Sequence, residues 1–73
     1  MAQETIEVPI TGKIIAVNVK SGDAVKEGDI LCMIESMKME NPILAPVAGT
    51  ITEINISMGA VVETGDLVAI IEY

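Results

Sequence analysis

The stretch PITGKIIAVNVKSGDAVKEGDILCMIES, residues 9–36, is repeated in outline as PVAGTITEINISMGAVVETGDLVAIIEY, residues 46–73. Sliding the sequence by 37 positions aligns the two segments of 28 residues without a gap. Ten aligned pairs are identical: Pro9/Pro46, Gly12/Gly49, Ile14/Ile51, Asn18/Asn55, Gly22/Gly59, Val25/Val62, Gly28/Gly65, Asp29/Asp66, Ile34/Ile71 and Glu35/Glu72. An internal repeat of this kind predicts two copies of one structural unit.

Both copies have the pattern of β-strands. Residues 17–19 read Val-Asn-Val and residues 54–56 read Ile-Asn-Ile, which is the period-two spacing of a half-buried strand. Ile14 and Ile51 are out of phase with this alternation. We therefore expect a β-bulge or a change of sheet one residue later in each copy, near residues 15 and 52.

Glycine-containing turns separate the predicted strands, and they lie at residues 20–23, 27–29, 58–60 and 64–66. Glycine is favoured at such turns because it adopts positive φ without a steric penalty. Short strands at close spacing predict an all-β sandwich or barrel. If a pseudo-twofold axis relates the two halves, each half covers the apolar faces of the other.

Composition restricts the possible functions. The 73 residues are expected to form a single domain, residues 1–73, and four Lys plus Arg against eleven Asp plus Glu give a net charge of -7. This charge argues against nucleic acid as a partner, because the phosphates would be repelled. The apolar runs, such as Ile30 to Ile34, are too short for membrane insertion. We expect a cytoplasmic protein.

The chain has no histidine and only one cysteine, Cys32. It therefore lacks the residues for an intrachain disulfide, a zinc site or a His-activated nucleophile. An enzyme acting through a carboxylate pair such as Glu35 and Glu40 is a weaker hypothesis, because both residues are expected on an exposed hairpin. We predict no catalytic residue and no metal site.

The connector between the copies, residues 37–45, contains the last three residues of the motif Glu35-Ser36-Met37-Lys38-Met39, which begins in the first copy. One repeat length before Lys38 is residue 1, so the connector is expected opposite the chain termini. A lysine on a turn is usually a solvated charge, and methionine usually fills a core. Two methionines beside a charge on a projecting turn would contribute little to a core. A recognition surface explains them better.

The whole chain resembles the biotinyl domain, the biotin carboxyl carrier module of biotin-dependent carboxylases and decarboxylases. The family signature is Glu-Ala-Met-Lys-Met, and residues 35–39 match it except that Ser36 replaces the commoner alanine. The resemblance implies two four-stranded antiparallel sheets in a flattened barrel-sandwich with internal pseudo-twofold symmetry. It implies biotin in amide linkage to Lys38, with Met37 and Met39 recognised by the ligase and Glu35 and Ser36 completing the motif.

The same resemblance implies the partners. A biotin protein ligase would load Lys38, and carboxybiotin on Lys38 would pass between a biotin carboxylase and a carboxyltransferase or decarboxylase. The two halves align without an insertion, so the thumb of the bacterial acetyl-CoA carboxylase carrier has no counterpart. This favours carriers like those of pyruvate or propionyl-CoA carboxylases or the decarboxylases, as a free-standing subunit or an excised C-terminal domain.

Two alternatives share the fold. A lipoyl carrier domain usually has Asp-Lys-Ala at the tip, and Met37 and Met39 argue against it. An unmodified structural module of the same fold would tend to lack the lysine.

Overall fold

The computed structural model describes residues 2–73, and all of their regular structure is β-strand. The strands are β1 (Gln3–Glu7), β2 (Gly12–Val17), β3 (Ala24–Val25), β4 (Ile30–Ser36), β5 (Met39–Leu44), β6 (Gly49–Ile54), β7 (Val61–Val62) and β8 (Leu67–Glu72). They form two four-stranded sheets, in the orders β1-β8-β6-β3 and β5-β4-β2-β7. All strand pairs are antiparallel. The predicted all-β class with two four-stranded antiparallel sheets is confirmed.

Each sheet takes two strands from residues 2–36 and two from residues 37–73, so neither half of the chain can complete a sheet alone. The buried side chains of both sheets form one core, which consists of Ile6, Val8, Ile14, Val25, Leu31, Cys32, Ile34, Ile43, Ala45, Ile51, Val62, Val68, Ala69 and Ile71. Burying one large aliphatic side chain contributes about 1.5–3 kcal/mol. An aliphatic core assembled from both halves explains how so short a chain folds without a disulfide or a metal.

The two halves make the same backbone hydrogen bonds to one another. The Gly22 N–H donates to the Ile51 carbonyl at 2.7 Å, and 37 residues along, the Gly59 N–H donates to the Ile14 carbonyl at 2.7 Å. Two further bonds that correspond in this way run from Val8 N–H to Asp66 O and from Ala45 N–H to Asp29 O, both 2.8 Å. The repeat in the sequence is thus a repeat in the fold, with the halves interlocked.

The predicted bulges are present. The register of β2 shifts between Ile14 and Ala16, and that of β6 shifts between Ile51 and Glu53. The change of phase keeps Ile14 and Ile51 buried. A further bulge on β4, between Ile30 and Cys32, was not apparent from the sequence.

The predicted strands at residues 17–19 and 54–56 are only partly correct. β2 ends at Val17 and β6 ends at Ile54, so the following residues lie outside the ladders. Val19 and Ile56 nevertheless pack against the core. The alternation therefore reflects burial of every second side chain, which continues beyond the last paired residue.

Glycines occupy the turns with positive φ, as expected. Gly28 has φ 91° and Gly65, its counterpart, has φ 94°. An aspartate closes each of these turns: the Asp29 carboxylate accepts a hydrogen bond from the Lys26 N–H at 2.8 Å. Asp66 does the same in the second copy.

Within residues 2–73 there is no helix of the length and apolarity needed to cross a bilayer.

Candidate functional site

The motif residues form the end of the β4–β5 hairpin. Ser36 on β4 pairs with Met39 on β5, which leaves only Met37 and Lys38 in the turn. The expected connector, residues 37–45, is therefore shorter than predicted, because residues 39–44 form β5. The strands stay paired up to the two residues of the turn, so the hairpin ends in a tight tip.

Both turn residues have a left-handed backbone. Met37 has φ 54° and Lys38 has φ 64°, and among residues 2–73 these are the only residues other than glycine with positive φ. Two-residue hairpins favour such turns because their twist matches that of the strands, but Asn-Gly is the usual sequence. A left-handed residue with a Cβ costs roughly 1–2 kcal/mol. The sequence contained no indication of this geometry, because neither position 37 nor position 38 is glycine or asparagine.

The tip side chains contribute almost nothing to the core. Met37 is 92% exposed and Met39 is 66% exposed. Lys38 is exposed between them, and Ser36 is half-buried. Exposed methionines on both sides of a lysine form a small apolar surface around one primary amine. The structure brings together all five motif residues.

Behind the tip, two carboxylates face each other. Glu35 on β4 pairs with Glu40 on β5, and both are exposed. Directly opposed like charges destabilise a sheet. Lys13 on β2 is the neighbour of Glu35 on its other side. The carboxylate pair considered from the sequence is therefore real, but it lies on an open surface.

A glycine that the sequence analysis did not assign to the site supports the tip from below. A Cβ on Gly12 would collide with the backbone carbonyl oxygen of Glu35. Gly49 makes the same close approach to the Glu72 carbonyl in the other half. The repeat contained the signal, because Gly12 and Gly49 are identical and lie outside the four predicted turns.

The other three lysines have different surroundings. Lys13 lies within β2, between Glu35 and Val61 on the neighbouring strands. The backbone N–H groups of Lys20 and Lys26 donate to the aspartates that close their turns. Within the described chain, Lys38 is the lysine at the tip of a strand-to-strand hairpin.

The other half has the chain ends where the first half has this tip. Ala2 and Tyr73 exchange two backbone hydrogen bonds of 2.9 Å, N–H of each to O of the other. They are the residues 37 positions from Met39 and Ser36. The expected equivalent of Lys38, residue 1, lies outside the described residues.

Residues 2–73 contain no pocket and no group of three or more potential metal ligands. The site is a convex tip with one amine at its end.

The fold and this tip define a class of protein, a small β domain that presents a single lysine on a hairpin. A family model described as "Biotin-requiring enzyme" matches residues 4–71. The chain therefore belongs to the biotin and lipoyl attachment family. The description of this family model names biotin, and relatives of the chain are a decarboxylase subunit and a carboxylase chain.

Two relatives and one solved structure show the likeness. The chain is 52% identical over 40 residues to the glutaconyl-CoA decarboxylase subunit gamma of Acidaminococcus fermentans, covering 55% of this chain and 28% of that subunit. It is 54% identical over 37 residues to the human (Homo sapiens) mitochondrial propionyl-CoA carboxylase alpha chain, covering 51% of this chain and 5% of that one. A Kluyveromyces lactis urea carboxylase structure superposes with a TM-score of 0.89 at 35% identity, covering 99% of this chain and 6% of that protein.

This chain thus spans less than a third of each of these proteins.

Proposed function

We propose that Lys38 carries biotin through an amide at Nζ, and that the chain shuttles a carboxyl group between partner active sites. The observation that carries this proposal is the two-residue left-handed turn at Met37 and Lys38, with exposed side chains. A primary amine in solvent at the end of a paired hairpin suits attachment of a cofactor that must enter another protein's active site. The residues present therefore fit biotin.

The chain's own contribution is to hold and orient the amine. Acylation of Nζ removes the positive charge of Lys38, so by count the net charge changes from -7 to -8. When bound, biotin supplies the nitrogen that accepts and releases the carboxyl group. The tight turn restricts where the attached group can move, which raises its effective concentration at a partner that binds the domain.

The proposed partners are a biotin protein ligase, a biotin carboxylase, and a carboxyltransferase or decarboxylase. Relatives named as a decarboxylase subunit and as carboxylases support this set. The Met37 and Met39 side chains would contact the ligase, because they are the apolar groups beside the amine. We propose that the chain itself supplies no catalytic residue and acts in the cytoplasm, in line with its acidic charge and its free cysteine.

Intact-mass measurement after coexpression with a biotin protein ligase tests the proposal. The wild-type chain should gain one biotinyl group, and Lys38→Arg should gain none while keeping its circular dichroism spectrum and unfolding midpoint. Lys13→Arg is the matched control and should be labelled like wild type. Labelling of Lys38→Arg, or modification of the wild type by a lipoyl ligase instead, would overturn the proposal.

A further inference from the structure

The outer faces of the two sheets consist of positions that correspond through the 37-residue repeat. The side chains of one face can therefore be compared, position by position, with those of the other. On the sheet that bears Lys38, outward positions of β4 and β5 pair as Met33 with Pro42 and Ile30 with Leu44. Ala16 on β2 pairs with Met33 on the other side. We call these five residues, which are all apolar, the apolar face.

The equivalent positions of the other sheet are partly polar. Thr5 pairs with Ile70, Glu7 pairs with Leu67, and Glu53 pairs with Ile70. Where the lysine-bearing sheet has Pro42, Leu44 and Ala16, the other sheet thus has Thr5, Glu7 and Glu53.

This fold therefore does not need apolar side chains at those three positions, because the equivalent backbone of the other sheet accepts a hydroxyl and two carboxylates. Leu44 is 48% exposed and Ile30 is 43% exposed. Contiguous exposed apolar surface on a small protein marks an interaction site more often than chance. The apolar face is a feature beyond what folding requires.

The face is continuous with the tip. Its neighbouring row of outward residues toward the tip is Glu40, Glu35, Lys13 and Val61, on four adjacent strands. The turn with Lys38 lies two residues beyond Glu35. A protein that covers the apolar face would thus also contact Glu35 and Glu40, and the Lys38 amine would lie at the margin of the contact.

The charges indicate the kind of occupant. Glu35 and Glu40 oppose each other at a cost, Lys13 lies beside Glu35 only, and a cationic group from a partner would offset the remaining negative charge. A second copy of this chain would instead bring another net charge of -7 to the interface.

We propose that the apolar face is the docking surface for the biotin carboxylase subunit that receives the tip, through an apolar patch of that subunit flanked by Lys or Arg. This inference rests on the proposed function. The tip alone reaches into an active site, whereas the apolar face determines the affinity and the orientation of the domain.

The test compares biotinylated chains as substrates of a purified biotin carboxylase subunit with ATP and bicarbonate. The double variant Ala16→Glu/Leu44→Glu introduces two carboxylates into the apolar face. The equivalent positions of the other sheet already have carboxylates, Glu53 and Glu7. Its matched control, Gln3→Glu/Thr5→Glu, adds the same two charges to the outer face of the other sheet. We expect the first variant to raise KM about tenfold or more with kcat within about twofold, and the control to match wild type.

The proposal is overturned if both double variants behave alike, or if wild type is no better a substrate than free biotin. Leu44→Glu alone, at a half-exposed site, keeps the test available if the double variant does not fold. Sedimentation must show a monomer; a wild-type dimer that Leu44→Glu dissociates would assign the face to a second copy and overturn the proposal. Failure of Lys38 to gain biotin, read by mass beforehand, would instead count against the proposed function.

Discussion

Two residues with a left-handed backbone carry the site, and this geometry is stored strain. Met37 and Lys38 hold φ 54° and φ 64° although neither side chain favours that region. A sequence with Asn-Gly at these positions would form the same turn at lower cost. The residues at the tip are therefore better explained by recognition than by stability.

Met37→Asn should stabilise the fold by roughly 0.5–1 kcal/mol, because asparagine adopts the left-handed region more readily. It should also slow labelling by the biotin ligase, because an exposed apolar contact is lost. Chemical denaturation and initial labelling rates check the two effects. Met58→Asn is the control: Met58 is 73% exposed but has no positive φ, so no gain in stability is expected there.

Cys32 should make the stability of the fold depend on pH, because its thiol is fully buried. Burial raises the pKa of the Cys32 thiol from 9.0 to about 11. The pKa of the thiol is higher in the folded state than in the unfolded state, so the folded state binds this proton more tightly. The resulting contribution to stability is present below pH 9 and is lost as the pH rises toward 11.

The free energy of unfolding should therefore fall by on the order of 2–3 kcal/mol between those limits through this thiol. Cys32→Val, which fills similar volume without ionising, should reduce that fall, as measured by urea unfolding at a series of pH values. An unchanged pH profile in the variant would contradict the assignment.

At the scale of elements, the hairpin is held in place by a glycine on the neighbouring strand. A Cβ on Gly12 would meet the Glu35 carbonyl oxygen, and one on Gly49 would meet the Glu72 carbonyl oxygen. Gly28, in contrast, has free space for a Cβ and requires glycine only for its φ of 91°. The chain thus uses glycine for two separate purposes.

Gly12→Ala and Gly49→Ala should each destabilise the fold by about 1–3 kcal/mol, because backbone must move. Only Gly12→Ala displaces β4 next to the tip, so it alone should lower the rate of biotin labelling. Thermal unfolding and labelling of the two variants side by side separate these effects. Equal labelling would show that the position of β4 does not matter to the ligase.

Much of this architecture could be predicted at the level of elements. The out-of-phase Ile14 and Ile51 located two bulges, because a buried isoleucine on the wrong parity requires an extra residue. The extent of the strands after Val17 and Ile54 could not be predicted, because alternation reports burial and not pairing. The left-handed backbone of the tip could not be predicted either, because turn propensities assign that conformation to glycine and asparagine, whereas the turn consists of Met37 and Lys38.

At the scale of the whole molecule, the interlocked halves leave one open hairpin position. Ala2 and Tyr73 exchange two hydrogen bonds at the place where the first half has its closed tip. A two-residue turn in place of Met1, running from Tyr73 to Ala2, would therefore close the second hairpin with the strand pairing of both sheets unchanged.

A cyclic chain in which Asn-Gly replaces Met1 and joins Tyr73 to Ala2 should be more stable by roughly 2–4 kcal/mol, because closure removes entropy from the unfolded state. Differential scanning calorimetry of the joined chain measures this. The control is the linear chain with Asn-Gly added after Tyr73, which should match the wild type. A joined chain with a lower unfolding temperature would contradict the equivalence of the two ends.

The shortness of the tip has one more consequence. Trypsin cleaves peptide bonds that follow a lysine, and the bond after Lys38 is of this kind. The side chains of Met37, Lys38 and Met39 are all exposed. A protease must draw several residues into an extended conformation, yet only two here are free of strand pairing. The folded domain with an unmodified Lys38 should therefore resist tryptic cleavage at the tip although this lysine is exposed, and unpaired segments of a longer protein that contains the domain should be cleaved first.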